Sequence, residues 1–339
     1  MDSLTRIALC QGNDRVENLR RSIAMVINNL NWPNYRQVLI KPNLVEPECA
    51  LAITHIDALA VLLEEIRTRY DGSIRIGEGC ALMPTPDAYQ LLGFNHLANF
   101  YNAHLVDLNA DEWLSVQIYR RNGRLLNVRL AQTVIQSDCR ISLTLPKTHD
   151  VVRVTLTIKN MIMGSLINRR LIQGKDHPDW RDRAGQILIG HGNGLGSDKV
   201  AMHQGYPMMN INLAHLALLV RPHLSLVDGF VAMEGEGPIN GTPVPWRVAI
   251  AGTDPLAVDV FTARHMGFEL DEIGYLKYCA EMGLGCIDPN QTHIIGDTPP
   301  EAITRRFKRH PLDPEQRRWY HPQSTNLLNE LIRLENMTR

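Results

Sequence analysis

Short runs of β-branched and leucine residues alternate along this chain with longer stretches in which apolar positions recur every three or four residues. The first run, Ile7 to Cys10, is followed by Val16, Leu19, Ile23, Val26, Ile27 and Leu30 at helical spacing, which reads as a strand feeding a helix. Further strands are expected at Val38 to Ile40, Ile74 to Ile76, Leu105 to Leu108, Ile141 to Leu145 and Leu224 to Val227. Helices are expected at 56–69, 151–163, 207–221 and 255–266. Such alternation predicts an α/β fold, a mostly parallel or mixed sheet with helices on both faces.

Three stretches depart from this rhythm. Around 113–130, Asn122-Gly123 separates two alternating runs and predicts a hairpin insertion. From 165 to 205 the helical period fades into Gly, Asp, Arg and His, as in a functional loop. After Pro299 a basic, charged segment ends in Leu327, Leu328, Leu331 and Leu334, an apolar stripe that needs a surface to dock on. The expected organisation is a single α/β domain over 1–298, with division into two lobes left open, and a C-terminal helical tail over 299–339 docked against it.

With 339 residues, 44% of them hydrophobic, the chain is long enough to bury a large core. A formal net charge of -1 supplies no field toward nucleic acid or an anionic membrane, so neither is an expected partner. The six cysteines include no C-x-x-C pair, which argues against a zinc ribbon, an iron–sulfur cluster or a disulfide framework. No leader-like segment or membrane-length apolar run is present, and a cytoplasmic location is expected.

In open α/β sheets, ligands collect beyond the carboxyl ends of the strands. Here Lys41-Pro42-Asn43 follows VLI, Glu78 follows IRIG, Lys147 and His149 follow ISLTLP, and Asp228 follows LSLV. A lone post-strand Lys or Asp more often caps a helix or sits in a solvated turn; four such strand ends together point to a site. If 151–163 is helical, Thr155 and Lys159 share a face at i and i+4, with Asn160 beside them. Lysines offer charge-assisted hydrogen bonds to carboxylate or phosphate, and histidine offers proton transfer or metal ligation. Asp228, Glu234 and Glu236 lie among glycines and prolines in 228–243, a composition suited to a metal or a hydroxyl-rich ligand, or to a tight acidic turn. The glycine-rich 190–196 lacks dinucleotide spacing, and His177 and His191 fall in no compact ligand pattern.

IKPNLV (40–45), GEG (77–79), LPKTH with TIKNMIMG (145–164), LSLVDGFVAMEGEGP and GTDPLAVD (252–259) resemble, in that order, the domain-of-unknown-function 362 family. The resemblance implies Lys41, Asn43, Glu78, Lys147, His149, Lys159, Asn160, His203, Asp228 and Gly237-Pro238 as recurrent positions, which coincide with the strand-end set. Between Gly164 and His203 the sequence departs from the usual pattern. Some relatives carry a ferredoxin-like iron–sulfur module, implying redox-linked metabolism and a redox protein as one conceivable partner; this chain lacks the cysteines for such a cluster.

The expectation is an enzyme acting on a small anionic metabolite. Lys41, Asn43, Asn160 and Thr155 would bind substrate, and His149, Lys147, Lys159, His203 and Glu78 would carry the chemistry, with isomerase or lyase reactions ahead of hydrolysis or oxidoreduction. A divalent metal, if used, would fall to Asp228, Glu234 and His203. The rival expectation is a non-catalytic accessory protein that binds a metal or a metabolite.

Overall fold

The computed structural model describes residues 4–169 and 196–338. Its main sheet has eight strands in the order β14-β1-β13-β10-β7-β2-β3-β4. These are β1 (Thr5–Gln11), β2 (Gln37–Lys41), β3 (Ser73–Glu78), β4 (His104–Asp107), β7 (Cys139–Thr144), β10 (Leu224–Gly229), β13 (Val248–Gly252) and β14 (Thr292–Ile295). Among them only β13 runs against the others. The expected α/β fold, with its mixed sheet and helical C-terminal region, is therefore present.

Alternation along the strands divides the core into two layers. Ala8, Val38, Ile40, Ile74, Ile76, Ile141 and Leu143 pack under the helices Arg15–Ala24 and Ile56–Arg67. Leu9, Leu39, Val227 and Ile250 face the other way, toward the helices Thr157–Ser165, Tyr206–Val220, Pro255–His265 and Gly274–Glu281. Asn122-Gly123 turns the expected hairpin, pairing β5 (Trp113–Tyr119) with β6 (Leu125–Ala131), and Gly123 takes the positive φ of 77° that this turn requires.

A smaller sheet of four short strands, in the order β12-β11-β8-β9, crosses the carboxyl end of the main one. It comprises β8 (Lys147–His149), β9 (Arg153–Thr155), β11 (Ala232–Glu234) and β12 (Thr242–Val244). This corrects the helix expected over 151–163. Arg153 adopts φ 67°, which turns residues 153–155 back on 147–149, so the helix begins only at Thr157. Thr155 is consequently a strand residue and does not share a helical face with Lys159.

The helix Thr157–Ser165 has no side-chain cap of its own. Asp259, buried on the helix Pro255–His265, supplies one by accepting from the backbone N–H groups of Thr157 and Ile158 (both 2.9 Å) and from Thr157 Oγ1 (2.6 Å). Ser142 and Ser225, polar at inward positions of β7 and β10, bond to Thr157 as well. Burial pushes the Asp259 carboxyl up to about 7, against the pull of those hydrogen bonds. In Asp259→Asn the amide must turn an N–H toward one of these donors. The expected loss is about 1–3 kcal/mol in chemical denaturation, roughly one buried hydrogen bond to a charged group.

The tail packs Ile303, Phe307, Trp319, Leu327, Leu328 and Leu331 into the layer containing Val227; the side chain of Leu334 lies outside those described. It also grips the small sheet. Gln316 Nε2 donates to the carbonyl of His149 (2.7 Å), and Arg153 reaches Glu272 (3.0 Å), which Arg309 holds through both oxygens (2.8 and 2.9 Å). Among the described residues no helix is long and apolar enough to cross a membrane.

Candidate functional site

The carboxyl ends of β2, β3 and β7 open onto a cavity of about 300 Å³ between the main sheet, the small sheet and the helix Thr157–Ser165. At its floor Lys41, from the end of β2, meets Glu78, from the end of β3, at 2.8 and 2.9 Å, with both side chains almost wholly buried. Lys41 Nζ also contacts the carbonyl of Pro42 (2.8 Å) and Asn160 Oδ1 (3.2 Å), so its three N–H groups are fully used. Glu78 accepts in addition from the backbone N–H groups of Leu44 and Gly79. The pair presses so closely on the helix that a Cβ at Gly164 would strike Lys41 Nζ and Glu78 Oε1.

Asn43 relays this arrangement outward, its Nδ2 donating to Asn160 Oδ1 (2.9 Å) and its Oδ1 accepting from Lys147 Nζ (2.9 Å). Lys147 is fully buried and has one further acceptor, the carbonyl of Ala52 at 3.0 Å. Burial, and then the charge of Lys159, push its ammonium down to about 7. Lys159 points into the cavity with no hydrogen-bond acceptor among the described residues, and burial lowers it to about 8 although Asp150 acts to raise it. Thr155 Oγ1 and Asn168 Oδ1, buried in residues that line the same cavity, are also unpartnered among the described residues.

Two histidines face the same space, and a hydrogen bond assigns the tautomer of one of them. His149 Nδ1 lies 3.0 Å from both the N–H of Val151, a donor, and the Asp150 carboxylate, an acceptor, so its contacts support either tautomer. Burial and then Lys159 push His149 down to about 4, so it is neutral at pH 7. His203 Nδ1 lies 2.9 Å from the carbonyl of Lys199, which can only accept, so the proton is on Nδ1 and Nε2 keeps a lone pair. Burial lowers His203 too. The Nε2 of His203 is thus available as a base.

Of the residues expected at the site, Lys41, Asn43, Glu78, Lys147, His149, Thr155, Lys159, Asn160 and His203 all line this cavity. Lys147 and His149, expected just after a strand end, are buried on β8, a short strand of the smaller sheet. Asp228 and Glu234 do not line it, and the expected set with His203 does not come together. Val227 faces the cavity-side layer, so the next residue, Asp228, points to the opposite face of the sheet and pairs with Arg15 at 3.2 Å. Glu234 is taken by the backbone N–H of Lys308 at 2.9 Å. Among the described residues no group of three or more His, Cys, Asp or Glu side chains is placed to hold a metal ion. His177, His191 and most of 190–196 lie outside the described residues.

Lys199, Asp150 and Asn168 were missed by the sequence reading and also line the cavity. Lys199 Nζ donates to the carbonyls of Met163 (2.8 Å) and Leu166 (2.5 Å), and burial lowers it to about 7. Its spacing of one helical turn before His203 was the available signal.

Lys41, Asn43, Glu78, Lys147, His149, Lys159, Asn160 and His203 are also positions at which the sequence resembles the domain-of-unknown-function 362 family. The model of that family, DUF362, matches residues 38–264, and the chain belongs to it. A thylakoid-associated protein of Synechocystis sp. is 23% identical over 228 residues, covering 66% of this chain and 60% of the relative. The lactate racemase apoprotein from Thermoanaerobacterium thermosaccharolyticum is 11% identical with a TM-score of 0.43, over 83% of this chain and 57% of that one. A Thermotoga maritima protein of known structure is 10% identical with a TM-score of 0.43, over 73% and 57%. The chain therefore spans about 60% of the curated relative's length and 57% of each of these two structures. The two structural likenesses are too slight to bear on chemistry.

Proposed function

We propose that the cavity is the active site of an enzyme that moves a proton on a small anionic metabolite, with isomerisation or elimination next to a carboxylate as the reaction class. The observation that carries this reading is Lys159, a buried ammonium facing the cavity with no acceptor among the described residues. A buried charge left this way is costly unless a ligand supplies the missing partner. Thr155 Oγ1 adds a second unspent hydrogen-bonding group to the lining of the same cavity.

With the anion held there, His203 Nε2 would take the proton from the carbon beside the carboxylate, and His149, in its Nε2–H form, would donate to the developing charge or to the leaving oxygen. Lys147 would stabilise the carboxylate as it gains enolate character. Lys41 and Glu78 satisfy each other, so their part is to fix Asn160 and the helix that carries Lys159.

The test is deuterium wash-in. Short 2-hydroxy and 2-amino carboxylic acids are incubated with the protein in D2O, and exchange at the carbon next to the carboxylate is followed by proton NMR. Exchange is expected in the wild type and is lost, by about 100-fold or more, in His203→Gln. Lys159→Met is expected to abolish binding in calorimetry without lowering stability, because it removes an unpaired buried charge. Binding of an acid without exchange would replace catalysis by a carrier role, and equal affinity in Lys159→Met would overturn the anion site itself.

A further inference from the structure

The cavity runs lengthwise along the helix Thr157–Ser165, whose Lys159, Asn160, Met163 and Gly164 all line it. Lys159 stands in the first turn. At the other end, Lys199 Nζ rests on the carbonyls of Met163 and Leu166. These lie four and seven residues beyond Lys159, or roughly 6–10 Å along the axis at 1.5 Å per residue. Helical side chains tilt toward the N-terminus, which carries the head of Lys159 away from Lys199 and favours the upper end of that range.

The two ammonium groups differ in what they have left to give. Each carries three N–H donors. Lys159 spends none among the described residues, and Lys199 spends two, so one of its donors remains. Lys41, between them at the floor, is fully used by Glu78, Pro42 and Asn160. Glu78 neutralises Lys41, whereas neither Lys159 nor Lys199 has a carboxylate within ion-pair distance among the described residues. Lys159 and Lys199 therefore form two cationic poles toward opposite ends of the helix, with Lys147 as a third buried ammonium and Asp150 as a carboxylate in the same lining.

Resting on the reading of this cavity as an anion site, we infer that its ligand is a short dicarboxylate, one carboxylate on Lys159 and Thr155 and the other on the free donor of Lys199. Two charge-assisted hydrogen bonds of about 2.8 Å, one at each pole, take up part of the separation. The remainder suits carboxylates a few bonds apart, and a monocarboxylate of the same length leaves one pole unanswered. A single phosphate would reach one pole only.

Binding of succinate, glutarate and butyrate to the full chain is compared by isothermal titration calorimetry at pH 7. One of the two diacids is expected to bind about tenfold or more tightly than butyrate, the worth of one charge-assisted hydrogen bond. Lys199→Met is expected to erase that advantage and leave butyrate affinity unchanged. Equal affinities in the wild type would overturn the dicarboxylate assignment while leaving the anion site at Lys159 standing, as would equal losses for both acids in Lys199→Met, which mark Lys199 as a helix-end lysine only. Failure of all three acids to bind would remove the anion site itself.

Discussion

Lys41→Met is expected to lower the unfolding free energy by about 3–5 kcal/mol, the usual consequence of leaving one partner of a buried ion pair alone. The magnitude follows from position. Glu78 is 2% exposed and keeps only the backbone N–H groups of Leu44 and Gly79 when Lys41 is gone. The double variant Lys41→Met/Glu78→Gln is expected to recover most of the deficit, because its amide oxygen still accepts one N–H while the unpaired charge is gone. Two residues in direct contact should show this non-additivity clearly in urea denaturation. A Lys41→Met protein as stable as the wild type would mean that the pair does not hold the strand ends together.

Affinity for an anion in the cavity is expected to fall steeply above neutral pH. In the ligand-free protein burial holds Lys147 and Lys199 at about 7 and Lys159 at about 8. An anion beside them favours the charged forms and raises all three. Between those free-state values and the higher bound-state ones, the complex holds more protons than the free protein, so binding takes up protons and weakens as the pH rises. Each lysine titrating in this window contributes up to about tenfold per pH unit. The loss between pH 7 and pH 9 should therefore exceed about tenfold. Calorimetry at pH 8 in two buffers of different ionisation enthalpy reads the uptake directly; an affinity independent of pH over this range would show that the lysines do not sense the ligand.

Much of this site was legible because strand ends are legible. The β-branched runs before Lys41, Glu78 and Lys147 located β2, β3 and β7, and ligands gather beyond the carboxyl ends of such strands. What the pattern could not supply was direction. Asp228 follows its strand as Lys41 does, yet a single step of the period-two alternation sends it to the Arg15 side of the sheet. The helix start was misplaced for a different reason. Arg153 adopts a left-handed backbone that only Gly, Asn or Asp usually announce, so nothing local marked the turn between β8 and β9. VAIAG, the run that forms β13, is short and apolar and was open to being read as a strand; its antiparallel place between β1 and β10 depends on partners far away in sequence.

The placing of β1 also bears on how the chain is made. Thr5–Gln11 is synthesised long before its neighbours in the sheet, Val248–Gly252 and Thr292–Ile295. While β2, β3, β4 and β7 can pair as they emerge, β1 must wait with both edges open until most of the chain has been synthesised. Closing so long a loop is slow and entropically costly. The apolar IALC stretch within β1 therefore has no sheet partner until Val248–Gly252 has been made.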